Sequence, residues 1–322
     1  MSSFRSAGER GAAGDAQPAS APIRVILDTD IGTDVDDCIA LAFLLGSPEI
    51  QIDGITCVYG DVSVRARMCR KLLELRGRDD IPVYEGISAP LLGLQPIYWP
   101  GHEGTGLLEE GETFDEGPSR HAVDYLIDTV LSNPGQIHLL AVGPVTNIAT
   151  AMIREPLFAE TLAHLTIMGG LIETKVDGGV AEHNIKSDPE AAHIVFASGA
   201  PISLVPLDVT LRATIDQRGI DALRARKTPY HDAIADQIAL YPPFTERGGK
   251  TFLHDPLAAA TLVRPDLLVW KDVAIDVELT GTFTKAMTVA RPPTADRPAT
   301  IRVALDLHRE ECEAFITERI AN

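Results

Sequence analysis

The sequence predicts an α/β protein, with an open, mainly parallel β-sheet and helices on both of its faces. Strand-like and helix-like patterns alternate along the chain from residue 23 onward. The strand-like segments are short and nearly all apolar, which is typical of parallel strands that are buried on both faces. Polar residues directly follow several of these segments, and open α/β sheets bind their ligands beyond the carboxyl ends of the strands. The functional site is therefore expected at that edge of the sheet.

The spacing of the apolar residues and the positions of Gly and Pro place the individual elements. The predicted strands are 23–27, 50–58, 82–84, 137–142, 165–168, 202–206, 273–279, 288–290 and 300–305. The predicted helices are 38–45, 65–76, 121–131, 147–153, 189–197, 256–262 and 310–320. Residues 86–118 are rich in Gly and Pro and show little periodicity, so they are expected to form a long functional loop.

The bulk composition limits the kinds of partner that the protein can have. The 322 residues include 28 basic and 46 acidic side chains, which give a formal charge of −18. This balance argues against a nucleic-acid backbone or an anionic membrane surface as the main partner, whereas an uncharged nucleoside is compatible with it. No apolar run approaches the length of a membrane span.

The chain is expected to fold as a single catalytic domain over residues 23–322. Residues 1–22 are rich in Ala, Gly, Ser and Pro and lack the apolar stretch of a signal peptide, so they are expected to be a disordered extension. The four cysteines form no Cys-x-x-Cys pair and lie in apolar or helical contexts, which favours buried free thiols. These features predict a cytoplasmic protein.

The segment 28–37 carries five aspartates within the sequence DTDIGTDVDD. It lies between a predicted strand and a predicted helix. Carboxylates packed this closely repel one another, and they need a hard cation, a polyhydroxyl ligand or shared protons. The segment therefore predicts an oxygen-lined metal site at a strand-to-helix turn.

Other interpretations of the aspartate segment fit its residues less well. An EF-hand loop that begins at Asp28 would need Gly at the position of Thr33 and Glu at the position of Ile39. A phosphatase with a nucleophilic aspartate would need Thr or Val where Gly32 lies. A solvated turn that only caps the helix would need one or two carboxylates rather than five.

Three later segments carry further candidate residues. His254 and Asp255 precede a predicted helix, which makes Asp255 a candidate ligand and His254 a candidate acid. Glu182 and Asn184 are two residues apart, so in an extended segment their side chains point the same way and could hold a diol. His102 lies in a Gly-His-Glu-Gly-Thr-Gly stretch, where a ligand can approach the backbone closely. Taken singly, each segment is also explained by an ordinary polar loop or turn.

Taken together, these segments make the chain resemble the nucleoside hydrolases, also called inosine-uridine-preferring nucleoside N-ribohydrolases. The resemblance covers about residues 23–320, and the matching motifs occur in the family's order. They are DTDIGTDVDD at 28–37, GITCVYGDV at 54–62, GHEGTGL at 101–107, AVGPVTNIA at 141–149, IMGG at 167–170, AEHNIKSDPEAA at 181–192, PLDVT at 206–210 and HDPLA at 254–258.

The resemblance implies a nucleoside hydrolase-like fold with Ca²⁺ held at the base of the pocket. By matching position, the implied ligands are Asp30, Asp37, Asp255 and the backbone carbonyl of Val142. Two residues, Asp34 and Val35, separate Thr33 from the paired aspartates where many members have one, and this leaves Asp34 without an assigned function.

The resemblance also implies which groups bind the nucleoside. Asp36, Glu182 and Asn184 would bind ribose hydroxyls, and Met168 would pack near the sugar. Asp61 occupies a position where many members have Asn, and its acceptor-only carboxylate could change contacts to the sugar or the base.

The implied activity is hydrolysis of the bond between ribose C1′ and a nucleobase nitrogen, through an oxocarbenium-like transition state. Asp30 is the candidate general base. His254 is the candidate acid or hydrogen-bond donor to the leaving base, because the ordinary pKa of His suits that task near neutrality. His102 and Tyr241 are candidates for the base pocket. The implied substrate is a small ribonucleoside in purine or pyrimidine salvage, and the implied assembly is a homodimer or homotetramer.

Two rival classes of protein follow from the same residues. A calcium-dependent sugar- or nucleoside-binding protein would keep the ribose-binding groups without turnover, and a reducing-sugar assay distinguishes it. A phosphatase with an Asp nucleophile would release phosphate from a phosphomonoester and would release no base.

Overall fold

The computed structural model of the protein describes residues 21–114, 117–173, 179–294 and 301–322. Residues 1–20, which make up most of the expected N-terminal extension, lie outside these ranges. Within them, no helix is both long enough and apolar enough to cross a bilayer.

The described strands and helices alternate along most of the chain. The strands are β1 (Ile23–Thr29), β2 (Ile50–Cys57), β3 (Val83–Glu85), β4 (Ile137–Ala141), β5 (His164–Met168), β6 (Ile202–Val205), β7 (Thr214–Asp216), β8 (Lys250–Phe252), β9 (Leu268–Val277), β10 (Thr288–Arg291) and β11 (Ile301–Leu307). The helices are α1 (Asp36–Leu45), α2 (Val62–Arg76), α3 (Ala122–Ser132), α4 (Thr146–Arg154), α5 (Phe158–Thr161), α6 (His183–Ser187), α7 (Pro189–Ala197), α8 (Leu207–Thr210), α9 (Gln217–Arg224), α10 (Pro229–Leu240), α11 (Pro242–Glu246), α12 (His254–Ala260) and α13 (Arg309–Ile320), with a 3₁₀ helix at Pro265–Leu267.

Nine strands pair into one sheet in the order β10-β9-β11-β6-β5-β4-β1-β2-β3. Neighbouring strands from β11 to β3 run parallel, while β9 pairs antiparallel with both β11 and β10. The short strands β7 and β8 pair antiparallel in a separate sheet. The prediction of a mainly parallel sheet is therefore confirmed.

Helices cover both faces of the large sheet, as β1 shows. Val25 and Leu27 belong to one hydrophobic cluster, which also contains buried residues of α1, α2, α10, α12 and α13. Ile26, between them, belongs to a second cluster with residues of α3, α4 and α7. Successive side chains of a strand point to opposite faces, so both faces of β1 are buried and its sequence is apolar throughout.

Several boundaries differ from the prediction in ways that affect the site. Strand β1 continues to Thr29 rather than ending at residue 27, so Asp28 lies within the sheet. Helix α1 begins at Asp36 rather than at Cys38, so Asp36 and Asp37 occupy its first turn. Carboxylates are favourable there, because the first turn carries the positive end of the helix dipole and unpaired N–H groups.

The region between β6 and α12 contains α8, α9, α10, α11, β7 and β8, none of which the sequence analysis assigned. Strands β7 and β8 each have three residues, two of them polar, so they lack the apolar run by which the other strands were predicted. Helix α10 begins at a proline preceded by the capping residue Thr228, a signal of a helix start that the analysis did not use. The described residues of 86–118 form neither helix nor strand, as predicted.

Candidate active site

A cavity of about 260 Å³ lies at the carboxyl ends of β1, β4 and β5. The predicted site residues that line it are Asp30, Asp36, Asp37, His102, Val142, Met168, Glu182, Asn184, Tyr241, His254 and Asp255. These residues are up to 225 positions apart in sequence, from Asp30 to Asp255. The parallel sheet helps to bring them together, because the carboxyl ends of its strands share one edge.

The carboxylates of Asp36, Asp37 and Asp255 form an acidic group that could hold a metal ion. One oxygen from each lies within 4.8 Å of the others, and all three side chains are buried. Burial, and repulsion by neighbouring carboxylates that include Asp30 and Asp34, raise their pKa values well above the ordinary range. Oxygen donors in this arrangement suit a hard cation, which would offset the repulsion that burial makes costly.

Local hydrogen bonds orient these carboxylates. The Thr29 hydroxyl donates to Oδ1 of Asp37. The backbone N–H of Asp255 donates to Oδ2 of Asp36 over 3.2 Å, which joins the start of α12 to the start of α1. The predicted ligands Asp37 and Asp255 are thus adjacent, and Asp36, which we expected to bind ribose, is the third member of this group.

Asp30 lies beside this group, directly after β1. Its side chain is 4% exposed, and burial raises its pKa although the positive charge of Arg65 acts in the opposite direction. A side chain at Gly143 would place its Cβ 2.7 Å from Oδ1 of Asp30, so this glycine leaves the space that the carboxylate occupies. A raised pKa is appropriate for a carboxylate that accepts a proton during a reaction.

Asp28 differs from the other four aspartates because it does not line the cavity. Its Oδ2 accepts hydrogen bonds from Thr56 Oγ1 over 2.6 Å and from Asn147 Nδ2 over 2.8 Å. Complete burial nevertheless raises its pKa to about 7. Asp28 therefore joins β1, β2 and α4 beneath the site rather than facing a ligand.

Glu182 and Asn184 both line the cavity, although the expectation of an extended segment is wrong. Glu182 is the N-cap of α6, and its carboxylate accepts hydrogen bonds from the N–H groups of Gly170, Asn184 and Ile185 over 2.7–3.1 Å. Asn184 lies in the first turn of that helix. Their side chains therefore meet in the cavity through the turn at the start of α6 and not through the alternation of an extended strand.

The side-chain amide of Asn184 connects two strand ends. Its Nδ2 donates to the carbonyl of Val142 over 2.8 Å and to the carbonyl of Met168 over 3.2 Å. Both N–H groups of the amide are therefore directed at the backbone, and its Oδ1 is the atom available to accept from a ligand hydroxyl. A carbonyl has two lone pairs, so the Val142 oxygen can accept this bond and still coordinate a cation.

His254 lies half-buried at the first position of α12, and burial lowers its pKa to about 4. The argument from an ordinary His pKa is therefore wrong, because desolvation disfavours the charged imidazole. Its Nδ1 is 2.7 Å from Thr210 Oγ1. If Nδ1 accepts from that hydroxyl, Nε2 carries the proton, and a neutral His254 can donate a hydrogen bond.

His102 and Tyr241 lie near each other on another wall, with ring centroids 6.0 Å apart. His102 Nε2 is 3.0 Å from the carbonyl of Thr33. The Tyr241 hydroxyl is hydrogen-bonded to the carboxylate of Asp34, and burial together with this carboxylate raises the pKa of Tyr241. Both rings are thereby attached to the turn that carries the aspartates.

Asp61 is the predicted site residue that does not line the cavity. Its Oδ1 accepts from the N–H groups of Ser63 and Val64, each over 3.1 Å, and the exposed side chain caps the N-terminus of α2. This position contradicts the expectation that Asp61 contacts the sugar or the base. Asp is favoured at this capping position, where its carboxylate satisfies free backbone N–H groups.

The sequence analysis did not select six lining residues, which are Thr33, Asp34, Tyr98, His183, Leu207 and Pro243. Asp34 was noticed but not assigned. His183 lies between two selected residues, and Tyr98 lies in the predicted loop, so their positions in sequence were available signals.

The comparisons with known proteins agree with this geometry. The family model described as "Inosine-uridine preferring nucleoside hydrolase" matches residues 25–314. The chain belongs to this nucleoside hydrolase family. Uridine nucleosidase 1 of Arabidopsis thaliana is 33% identical over 267 residues, which cover 80% of this chain and 79% of that protein. Pyrimidine-specific ribonucleoside hydrolase RihA of Enterobacter sp. (strain 638) is 33% identical over 309 residues, covering 92% and 97%.

Solved nucleoside hydrolase structures share the fold. The purine-preferring ribonucleoside hydrolase from Gardnerella vaginalis superposes with a TM-score of 0.84 at 29% identity, covering 92% of this chain and 98% of that one. As a nucleoside hydrolase, this protein is a hydrolase that acts on the N-glycosidic bond of ribonucleosides. This activity decides against the two rival classes, a binding protein without turnover and a phosphatase.

Proposed function

We propose that this nucleoside hydrolase depends on Ca²⁺ bound at the base of the cavity. The observation that carries the proposal is the meeting of three buried carboxylates, from Asp36, Asp37 and Asp255, in the wall of the pocket. All the donors are oxygens, which favours a hard cation such as Ca²⁺ over zinc. Asp30 and the carbonyl of Val142 line the same pocket and would complete the ligand set.

The chain's own residues account for binding of the sugar. Oδ1 of Asn184 and the carboxylates of Glu182 and Asp36 are acceptors that suit ribose hydroxyls, and Met168 offers an apolar surface beside them. When bound, a divalent cation supplies positive charge that orients the reacting groups and favours deprotonation of water. A site built to bond a hydroxyl leaves polar groups unpaired when that hydroxyl is missing.

Proton transfer at the two sides of the scissile bond is assigned to Asp30 and His254. Asp30 accepts the proton of the attacking water, which a carboxylate with a raised pKa can do. The surrounding carboxylates offset the positive charge that develops on the sugar. The Nε2–H of neutral His254 donates a hydrogen bond to the departing base, with His102 and Tyr241 on the neighbouring wall of the base pocket.

A panel of nucleosides tests the proposed function. The purified protein is incubated with inosine, uridine, cytidine and adenosine, and ribose release is measured by a reducing-sugar assay. The same assay with 2′-deoxyuridine should give a kcat/KM lower by up to roughly 10⁴, because the hydroxyl-binding groups would lack a partner. Equal kcat/KM for uridine and 2′-deoxyuridine would contradict the ribose contacts, and absence of ribose release from every nucleoside would contradict the function itself.

The assembly and location stay predictions. We propose a homodimer or homotetramer, which light scattering after size-exclusion chromatography tests directly, and a cytoplasmic location.

A further inference from the structure

Arg65, in helix α2, is the largest of the fully buried side chains in the described part of the chain, with an exposure of 0%. Burial of a guanidinium group is costly unless hydrogen bonds replace its water. The donors of Arg65 are directed at backbone carbonyls and at a hydroxyl. A buried charged side chain with several hydrogen-bond partners connects the segments that carry those partners. For Arg65 there are three such segments.

The first segment that Arg65 contacts is the aspartate turn, residues 30–35. Its Nη1 donates to the carbonyl of Asp30 and, over 2.8 Å, to the carbonyl of Ile31. Its Nη2 donates to Oγ1 of Thr33 over 3.0 Å. The peptide planes that follow Asp30 are therefore held from one side, and this sets the direction in which the Asp30 side chain leaves the backbone.

The second and third segments are the turn after β2 and the long loop. Arg65 Nε donates over 2.5 Å to the carbonyl of Tyr59, a residue that adopts a left-handed conformation with φ of 66°. Such a backbone is unfavourable for a residue with a side chain and needs support from its surroundings. On the other side, the guanidinium carbon lies 5.0 Å from the centre of the Trp99 ring.

We propose that Arg65 is a positioning residue for the reaction, because its planar fork holds the aspartate turn in the shape that directs Asp30 into the pocket. The inference rests on the proposed function of that pocket. This positioning requires the planar guanidinium group with its several N–H donors, and not only a positive charge. Three acceptors on the aspartate turn and one on Tyr59 must be bonded at the same time.

Two substitutions separate the fork from the charge. Arg65→Lys keeps a positive charge but replaces the fork by a single ammonium group, and Arg65→Met removes both. Arg67→Met is the matched control, because Arg67 lies in the same helix and its Nη2 donates to the carbonyl of Glu112, away from the cavity. Circular dichroism and thermal unfolding first establish that each variant is folded.

We expect both Arg65 variants to lower kcat on a ribonucleoside by about 10²-fold, with a much smaller change in KM, because displacement of the base affects the chemical step. Calcium binding is measured without turnover, by calorimetric titration of CaCl₂ into metal-free protein. Both variants should bind Ca²⁺ about 10–100-fold more weakly, as is usual when a group that orients a ligand is lost. Arg67→Met should match the wild-type protein in kcat and in Ca²⁺ affinity.

A folded Arg65→Lys protein with wild-type kcat and wild-type Ca²⁺ affinity would overturn the inference. If neither Arg65 variant folds, Thr33→Val takes their place, since it removes only the hydroxyl acceptor for Nη2. It should lower kcat in the same direction by a smaller factor, and an unchanged kcat would then count against the inference.

The calcium titration also separates this inference from the proposed function. If the wild-type protein releases no ribose but its Ca²⁺ affinity still depends on Arg65, the function fails and the positioning by Arg65 is retained. If the wild-type protein hydrolyses nucleosides and the Arg65 variants behave like it, only the inference about Arg65 fails.

Discussion

The polar side chains at the two ends of the central strands differ in charge: acidic groups lie at one end and basic groups at the other. At the carboxyl ends, the pocket edge, the buried carboxylates of Asp36, Asp37 and Asp255 face one another. At the amino ends, the opposite edge, His164 Nε2 and Arg302 Nε each lie 2.6 Å from Oγ of Ser203. At the opposite edge the two basic groups share one neutral hydroxyl, whereas at the pocket edge several carboxylates lie close together.

The pKa values express the same difference. Burial raises the pKa of the three carboxylates, and at the opposite edge burial, with Arg302 and His138 nearby, lowers the pKa of His164 to about 4. Each shift disfavours the charged form, but only the carboxylates lie in a cavity where an added cation could reverse it. The pocket edge therefore carries a group of carboxylates that could hold a cation, whereas the basic groups of the opposite edge share the Ser203 hydroxyl as a hydrogen-bond partner.

Removal of the metal should have the largest effect on activity. Unchanged activity would contradict the contrast drawn between the two edges. After treatment with a chelator, ribose release should fall to the background rate, and CaCl₂ should restore it, because the carboxylates need a cation to be ionised together. Elemental analysis of the untreated protein should find about one Ca²⁺ per chain. Full activity in protein shown to be free of metal, or stoichiometric zinc without calcium, would refute the proposal.

Asp30→Asn should give the next largest effect. It keeps the shape of the side chain but removes the group that accepts a proton, so kcat should fall by roughly 10²–10⁴. Steady-state kinetics of ribose release measure this, with the Ca²⁺ content of the variant as a control. A kcat near the wild-type value at normal Ca²⁺ content would exclude Asp30 as the general base.

His254→Ala should lower kcat for inosine or uridine by roughly 10²-fold, because these bases leave poorly without a hydrogen-bond donor. It should hardly change the hydrolysis of p-nitrophenyl riboside, since nitrophenolate needs no proton at neutral pH. Comparing the two substrates isolates assistance to the leaving group from binding of the sugar. If both reactions slow equally, His254 instead positions the sugar or its neighbour Asp255.

The smallest effect is expected at the opposite edge, from His164→Gln. Activity at pH 7 should change less than about twofold, as is usual for substitutions away from a site. In the unfolded chain His164 takes up a proton below about pH 6.5, while in the folded protein it does so only near pH 4, so its contribution to stability is lost as pH falls between these values. The variant should therefore lose less stability than the wild type between pH 7 and pH 5.

The difference should be on the order of 1 kcal/mol after allowance for the partial exposure of the ring. Urea unfolding of both proteins at the two pH values measures it. An identical loss in the two proteins would show that His164 is not held in its neutral form.

Much of the architecture follows from local sequence patterns, because a buried parallel strand is apolar along its whole length. The segments around β1, β4 and β5 were assigned within two residues of their observed bounds. The region containing β7 and β8 was not assigned, since these strands read Thr-Ile-Asp and Lys-Thr-Phe and are not the apolar runs typical of a buried parallel strand.

Some features of the candidate site could likewise be predicted from the sequence, and others could not. Oxygen-donor side chains close to one another in sequence, such as Asp36 and Asp37, allow a cation site to be predicted from residue type and spacing. Whether a single carboxylate faces a ligand or a helix end is not visible in the sequence: Asp61 caps α2, and Glu182 caps α6 while also lining the cavity. Both are acidic residues next to loops, and only their surroundings distinguish them.

The sequence alone determined the fold class, the family resemblance and the predicted oxygen-rich site, because these depend on residue type, order and spacing. The tertiary structure decided that Asp36 joins Asp37 and Asp255, and it decided how far the buried groups depart from their ordinary pKa values. It also revealed that Arg65, one of 28 basic residues, is buried against the aspartate turn. The physical reason is that desolvation and charge repulsion depend on distances between residues far apart in the chain, and such distances exist only in the folded molecule.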